Sequence, residues 1–134
     1  MVRSFPRQMA SIASLVAYVQ EFLEHEGLPP ERAFDLDLVI EELFTNLLKY
    51  GTGSRGDVDV GLESTAVGVV LTLREYDADR YDPTAAPEVD VHRPIEDRRP
   101  GGLGIHLVRQ LSRDFRYEWQ DRTGLITVTM KELS

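Results

Sequence analysis

The apolar pattern of the chain changes its period near Gly51, and this change constrains the fold more than any other feature. Before Gly51, apolar residues recur at roughly every third or fourth position, which is typical of amphipathic helices. After Gly51 they alternate with polar residues, which is typical of strands with one buried face. Since 134 residues with 42% hydrophobic content suffice for one core, we predict one domain over residues 1–134.

Two helices are predicted in the first part of the chain. The first ends at Gly27 and the Pro29–Pro30 pair, and the second runs from about Glu31 to Tyr50, with Gly51 as its C-cap. The core stripe of the first helix consists of Ile12, Leu15, Val16, Val19, Phe22 and Leu23, and that of the second consists of Leu36, Ile40, Leu43 and Leu47.

Two antiparallel hairpins and a short helix are predicted after Gly51. The short helix follows the glycine turn at Gly101–Gly104, and Tyr117 and Trp119 are expected in the core. Helices and antiparallel strands that are segregated in this way predict an α+β two-layer sandwich with helices on one face. The hairpins join residues 58–62 to 67–73 through a turn at Ser64–Ala66, and residues 115–119 to 126–130 through a turn at Asp121–Gly124.

The segment from Asp77 to Pro100 has no sustained period. It holds four of the seven prolines and many charges. Loops longer than about 12–15 residues inside a compact domain are usually functional lids or linkers. Because this segment lies between two hairpins and directly before a glycine turn, we predict a lid over residues 77–100.

Composition argues against several classes of function. The formal net charge of −8 repels phosphate backbones, so direct binding of nucleic acid is not expected. No run of residues reaches the roughly 20 apolar residues of a membrane helix, and no signal peptide precedes the first helix. There are no cysteines, and the three histidines are scattered, so a zinc site is not expected. These features favour a cytoplasmic protein.

The second helix carries Glu42, Asn46 and Lys49 on one edge, within about 60° of one another around the helix axis. An amide oxygen together with phosphate oxygens can bind Mg²⁺, a carboxylate can deprotonate a nucleophile, and a lysine can meet phosphate. Taken alone, the same three residues are more typical of a solvated helix face than of a binding site.

The turn Gly101-Gly102-Leu103-Gly104 opens the short helix. Glycines allow a phosphate to approach the backbone closely, and the free N–H groups of a helix start attract anions. A tight turn without any ligand explains the same residues. The turn is not a dinucleotide fingerprint, since no unit of parallel strands surrounds it.

The order of these features resembles the GHKL ATPases, the Bergerat-fold superfamily with its histidine-kinase-like ATPase domain. Within it the chain is most similar to the stand-alone anti-sigma-factor serine kinases. The segments that carry the resemblance are DLDLVIEELFTNLLKYG, YDPTAAPEVDVHRPIEDRRPGGLGIHLVRQLSRDFRYE and LITVTMKE.

The resemblance implies roles for several of these residues. Glu42 is expected to be the general base that activates a protein serine, and Asn46 the Mg²⁺ ligand beside bound ATP. The residues expected to contact the nucleotide are Lys49, Arg98 or Arg99, Gly102, Leu103, Gly104 and, through water, Thr127 or Thr129.

The adenine-reading acid of the family is the first Asp of a D-x-G turn, and this chain departs from that pattern. The turn reads Glu75-Tyr76-Asp77-Ala78-Asp79, with no glycine. If Ala78 replaces the glycine, Tyr76 holds the acid position. If the turn slips by one residue, Asp77 reads adenine, and we favour Asp77.

The resemblance implies an ATP-dependent kinase that phosphorylates a serine on an anti-sigma antagonist of the STAS type. The same domain is expected to bind a sigma factor, to switch between the two partners and to form a homodimer. A second hypothesis is an ATP-binding module that sequesters partners without transferring phosphate. A detached histidine-kinase catalytic domain fits less well, because the chain carries no dimerisation hairpin or phosphoacceptor histidine.

Overall fold

The structure is a computed structural model that describes residues 1–85 and 102–132, without the side chains of residues 102 and 103. Residues 86–101 lie outside this part, and with them most of the predicted lid, including Arg98 and Arg99. The elements in chain order are β1 (Val2–Phe5), α1 (Ser11–Glu26), α2 (Ala33–Tyr50), β2 (Val58–Thr65), β3 (Gly68–Glu75), α3 (Gly102–Leu111), β4 (Ser112–Gln120) and β5 (Thr123–Met130), with short 3₁₀ turns at Pro30–Arg32 and Pro83–Ala85.

The strands form one five-stranded sheet in the order β1-β2-β3-β5-β4. All four neighbouring pairs are antiparallel. The central strand β3 therefore pairs with β2 along one edge and with β5 along the other. The α+β class predicted from the change of period is confirmed.

The core lies between the helices and one face of the sheet. Alternate residues of β2, β3 and β5 are buried together with the apolar stripe of α2, with Leu15, Val19, Phe22 and Leu23 of α1, and with Ile105 and Val108 of α3. Burial of one side chain of this kind stabilises by about 1.5–3 kcal/mol, so the core orients α2 firmly on the sheet. The sheet residues of the core are Val58, Val60, Leu62, Val69, Leu71, Leu73, Ile126, Val128 and Met130.

The first strand, β1, is not among the elements expected from the sequence. It pairs with β2 at the edge of the sheet, with Phe5 opposite Val58. Fully buried Tyr18 of α1 holds this edge, because its hydroxyl contacts the Met1 carbonyl at 2.8 Å and the Val60 carbonyl at 2.9 Å. With four residues, β1 is too short to display a clear alternation.

Three local expectations were wrong. Val16, which was expected in the core stripe of α1, is 36% exposed, because it lies at the edge of the face that α1 buries. The first hairpin turns at residues 66–67 instead of Ser64–Ala66, because the Thr65 hydroxyl donates to the Gly68 carbonyl and closes the turn one residue later. Val67 is consequently exposed. Trp119 is also outside the core, with 36% of its surface exposed, because β4 is an edge strand. Its Nε1 donates to the Ala78 carbonyl at 3.0 Å.

The boundaries of α1 and α2 agree with the sequence pattern, but their ends differ in kind. Gly27 closes α1 in the left-handed conformation, with φ of 65°. Gly51 also ends its helix as predicted, yet its backbone is extended, with φ of −72° and ψ of 138°. The chain therefore leaves α2 directly towards β2. In the described residues, no helix is long and apolar enough to cross a membrane.

We expect Tyr18→Phe to lower the free energy of unfolding by about 0.5–1.5 kcal/mol, because it removes the buried hydroxyl that bonds to the Met1 and Val60 carbonyls, while the Met1 carbonyl keeps the Leu62 N–H as a donor. Urea unfolding monitored by circular dichroism measures this. Tyr76→Phe is the control, since Tyr76 is exposed and its change is expected to stay within about 0.5 kcal/mol. Equal losses for the two variants would contradict the assigned role of Tyr18.

Candidate functional site

The predicted edge of α2 faces the interior of the site. Asn46 is only 4% exposed, and its Nδ2 atom is buried without a hydrogen-bond partner. Glu42 lies one turn earlier and is partly buried, while Lys49 is exposed near the end of the helix. A buried amide without a partner is uncommon in a folded protein, and it indicates a position that a ligand completes.

Glu42 and Gly104 meet where α2 packs against the start of α3. A methyl group built on Gly104 would overlap the Glu42 carboxylate, with its carbon 2.5 Å from Glu42 Cδ. A larger residue at this point would force the Glu42 side chain to move from the position that it occupies. The structure therefore brings together the two parts of the chain that were proposed separately, the acidic helix edge and the glycine turn.

The helix α3 begins at Gly102 and includes Leu103 and Gly104 in its first turn. The N–H groups of a first helical turn have no partner within the helix, and the helix dipole adds positive potential there. This end of α3 is consequently suited to phosphate, and Glu42 stands beside it. Gly101, Arg98 and Arg99 lie outside the described residues.

The inner end of β3 carries a buried acid, Glu75. It follows Leu71 and Leu73 on the face of the sheet that contacts the helices, and it is only 5% exposed. One carboxylate oxygen, Oε1, lies 3.4 Å from Arg7 Nη2. The other, Oε2, is buried without a hydrogen-bond partner. An unpaired buried oxygen of this kind can accept a hydrogen bond from a ligand amine.

Arg7 connects Glu75 to the end of α2. Its Nη1 lies 3.5 Å from the Leu47 carbonyl, and its Nε donates to the Gly56 carbonyl at 3.2 Å. Burial raises the pKa of the Glu75 carboxyl, and the Arg7 guanidinium opposes that shift. Arg7 therefore offsets part of the cost of an ionised Glu75.

Tyrosine side chains surround Glu75. Gly124 is its partner on β5, and a methyl group built there would lie 3.3 Å from Tyr117 Oη and 3.5 Å from Glu75 Cγ. The Tyr117 hydroxyl accepts from the Tyr81 backbone N–H at 3.1 Å. Burial raises the pKa of both tyrosines, so both remain neutral hydrogen-bonding groups at pH 7. This end of the site combines aromatic surface with one acid.

The loop after β3 is tied to its neighbours by Arg122. Asp77 has a left-handed backbone with φ of 52°, and its carboxylate accepts from Arg122 Nε at 2.9 Å. Asp79 accepts from Arg122 Nη1 at 3.2 Å and from the Thr52 hydroxyl at 2.8 Å. The bonds from Thr52 and Arg122 lower the pKa of Asp79. Asp77 thus has a backbone conformation that favours glycine, and its carboxylate is paired with Arg122, with 84% of the side chain exposed.

Two other candidates lie on the sheet face that points away from the helices. The Tyr76 hydroxyl donates to Asp59 at 2.8 Å, and Asp59 is opposite Arg74 on that face. Thr127 pairs with Thr72 on the same face. Neither residue joins the group formed by Glu42, Asn46, Gly104 and Glu75.

Sequence reasoning did not single out Glu75 or Arg7. The signal for Glu75 was present, because it continues the inward alternation of Leu71 and Leu73 with a charged residue. Arg7 lies in an irregular segment between β1 and α1, where no period predicts which way a side chain points.

The pairing of a buried helix edge with a glycine-opened helix, above an antiparallel sheet, defines a histidine-kinase-like nucleotide-binding fold. The profile of the histidine kinase-like ATPase domain matches residues 5–131, and the chain belongs to this family. Membership implies ATP binding.

Two relatives agree with this assignment. The chain is 29% identical over 98 residues to the serine/threonine-protein kinase BtrW of Bordetella bronchiseptica, which covers 72% of this chain and 68% of the relative. The histidine kinase AdeS of Acinetobacter baumannii has a similar fold, with a TM-score of 0.54 and 16% identity, over 100% of this chain and 68% of the other.

The buried acid predicts a pH dependence of stability. Because the folded-state pKa of Glu75 is above its ordinary value of 4.5, the unfolded chain ionises first as the pH rises. The stability contribution of Glu75 is therefore complete below pH 4.5 and is lost as the pH rises through the raised folded pKa. We expect Glu75→Gln to remove this loss, as urea unfolding between pH 4 and about 7 measures. An unchanged pH profile would contradict the assignment.

Proposed function

We propose that this chain is an ATP- and Mg²⁺-dependent protein serine/threonine kinase that phosphorylates a serine of an anti-sigma antagonist. The observation that carries the proposal is the meeting of Glu42 with Gly104 at the start of α3, one helical turn from the unpaired amide of Asn46. A serine/threonine-protein kinase among the relatives supports the same reaction class.

Glu42 is the proposed general base. The serine oxygen attacks the γ-phosphorus of ATP, the bond from phosphorus to the β–γ bridging oxygen breaks, and ADP leaves with that oxygen. The proton of the serine hydroxyl passes to the Glu42 carboxylate. Such a base is required for transfer, because a neutral hydroxyl is a weak nucleophile.

The remaining residues bind and orient the nucleotide in this proposal. The N–H groups at the start of α3 hold phosphate oxygens, and Lys49 adds positive charge. Glu75, and not Asp77, accepts a hydrogen bond from the exocyclic amine of adenine. Glu75 has a buried oxygen without a partner, whereas the Asp77 carboxylate already accepts a hydrogen bond from Arg122. Tyr81 and Tyr117 supply apolar surface for the base.

Asn46 fits a magnesium ligand, because its buried amide carries an unpaired atom and its carbonyl oxygen is the hard kind of ligand that Mg²⁺ prefers. When bound, Mg²⁺ would neutralise phosphate charge.

Phosphorylation of the antagonist is proposed to set which partner the domain holds, the antagonist or a sigma factor. Both are proteins of the bacterial cytoplasm, so this is the proposed location. A homodimer is the proposed assembly.

A second function, an ATP-binding module without phosphate transfer, is favoured by one observation. The acid at the end of β3 already interacts with Arg7, which competes with a nucleotide amine for the carboxylate. Such a module binds and releases its protein partner with nucleotide but leaves it unphosphorylated.

Nucleotide binding is tested by thermal unfolding. ATP with Mg²⁺ is expected to raise the Tm, because a ligand that binds only the native state stabilises it by mass action. Asn46→Ala is expected to lose the Mg²⁺-dependent part of this rise, measured from the Tm of each protein without nucleotide. The proposed site is wrong if the wild type shows no rise at millimolar ATP.

Phosphate transfer is tested with Glu42→Gln and a purified antagonist. The variant keeps the size of the side chain but loses its basicity, so transfer is expected to slow by about 10²–10⁴-fold while ATP still raises the Tm. Glu63→Gln is the matched control, since Glu63 is exposed on β2, and it is expected to transfer at the wild-type rate.

Transfer of labelled phosphate from γ-labelled ATP is the measurement. A wild-type rate in Glu42→Gln would exclude Glu42 as the base. A wild type that binds ATP and the antagonist without labelling it would favour the module.

A further inference from the structure

A groove between α1 and α2 lies on a different side of α2 from the nucleotide site. Its position follows from the helix geometry, because the side chains of Glu41 and Glu42 diverge by about 100°. The groove is lined by Ile12, Leu15, Val16, Asp37, Ile40 and Glu41. We call it the α1–α2 groove.

Val16, an exposed apolar residue, lines the α1–α2 groove, and the exposed Phe34 lies on the same side of α2 as the two acids of the groove. Phe34 is 70% exposed, and with Asp37 and Glu41 it forms a stripe at positions i, i+3 and i+7 of α2. Val16 on α1 is 36% exposed. Exposed aromatic and aliphatic residues that are grouped in this way are typical of protein interfaces.

The two acids of the α1–α2 groove, Asp37 and Glu41, have no cationic partner among the described residues. Asp37 Oδ1 is buried without a hydrogen-bond partner. Burial raises the pKa of Asp37, and the charge of Glu41 adds to the shift. Within residues 1–85 and 102–132, no Lys, Arg or His forms an ion pair with either carboxylate. Asp37 is half-buried and Glu41 is exposed. A cation placed between the two carboxylates would offset their repulsion and pair with the buried oxygen of Asp37, so a cation from outside is the complementary partner.

We propose that the α1–α2 groove binds an amphipathic helix of a protein partner, which inserts a lysine or arginine between Asp37 and Glu41. Its flanking apolar residues contact Val16 and Phe34. A groove between two helices, with contacts at helical spacing, fits a helix better than an extended strand. Nucleic acids and anionic membranes are excluded as occupants by the two carboxylates and the net charge of −8.

A partner in this position lies along the helix that carries Glu42. We identify the bound protein as the phosphate acceptor, and this identification rests on the proposed kinase function. The docking itself does not require ATP, so the two can be tested separately.

The test uses a fluorescent helical peptide with one central arginine flanked by leucines, and a matched peptide with glutamate in place of the arginine. Fluorescence anisotropy without nucleotide is expected to show binding of the arginine peptide alone. Asp37→Asn/Glu41→Gln is expected to weaken that binding by about tenfold or more, since truncating a desolvated charge pair is costly.

The control variant Asp57→Asn/Glu63→Gln makes the same two chemical changes at exposed positions outside the groove. It is expected to bind the arginine peptide as the wild type does. Equal weakening in the two variants, or equal binding of the two peptides by the wild type, would overturn the proposal.

A variant with exchanged charges tests whether loss of binding is caused by misfolding, because a misfolded variant would not gain a new ligand. Asp37→Lys/Glu41→Lys is expected to bind the glutamate peptide and to lose the arginine peptide. Failure of this variant to bind the glutamate peptide, with a native circular dichroism spectrum, would also overturn the proposal.

The absence of cysteines allows the peptide to be located with one label. A fluorophore on Val16→Cys is expected to change its emission on addition of the arginine peptide, and one on Glu63→Cys is not. The reverse pattern would place the binding surface elsewhere.

Two further measurements separate the alternatives. If ATP does not raise the Tm but the arginine peptide still binds, the kinase proposal is wrong and the docking proposal is supported. If ATP raises the Tm but the arginine peptide does not bind, only the docking proposal is wrong. If sedimentation shows self-association that Val16→Ser abolishes, the groove is an interface between two copies and the proposal is overturned.

Discussion

The functional features of this protein depend on the way in which α2 is buried. One stripe of the helix, Leu36, Ile40, Leu43 and Leu47, is fixed in the core against the sheet. Because a helix turns by about 100° per residue, the position of that stripe also determines the direction in which every other side chain of α2 points. Glu42 and Asn46 are then directed towards α3, and Asp37 and Glu41 towards α1. One hydrophobic contact thus orients two polar surfaces.

The polar groups of the site are expensive to bury, and this cost is itself informative. Asn46 Nδ2 and Glu75 Oε2 are both buried without partners. Each such group costs about 1–3 kcal/mol relative to a satisfied one. A domain retains groups of this kind where a ligand bonds to them. The two atoms therefore offer a ligand one hydrogen-bond donor at the edge of α2 and one acceptor at the end of β3.

Most of the fold could be predicted from the sequence, because helical and alternating periods are local signals. The edge strand β1 could not, since four residues give too short a pattern. Trp119 was misplaced for a related reason: alternation shows which face a residue is on, but not whether its strand lies at the edge of the sheet. Within the site, the acidic helix and the glycine turn were found by their spacing. Glu75 was missed because motif order pointed to its neighbours, although the alternation of Leu71 and Leu73 already places it on the inward face of β3.

The turn between β4 and β5 has a consequence for how this domain could be altered. Asp121 and Arg122 both adopt left-handed backbones, with φ of 52° and 59°, where a hairpin normally favours asparagine and glycine. Non-glycine residues in that conformation cost about 1–3 kcal/mol each. The strain directs one guanidinium onto Asp77 and Asp79 and so joins the hairpin tip to the loop after β3. A designer who replaced the pair with Asn-Gly would relax the turn and, in the same step, remove both ion pairs to the loop, leaving it held by the hydrogen bonds of Trp119 and Thr52. At this turn a less strained backbone would therefore mean weaker contacts between distant parts of the chain.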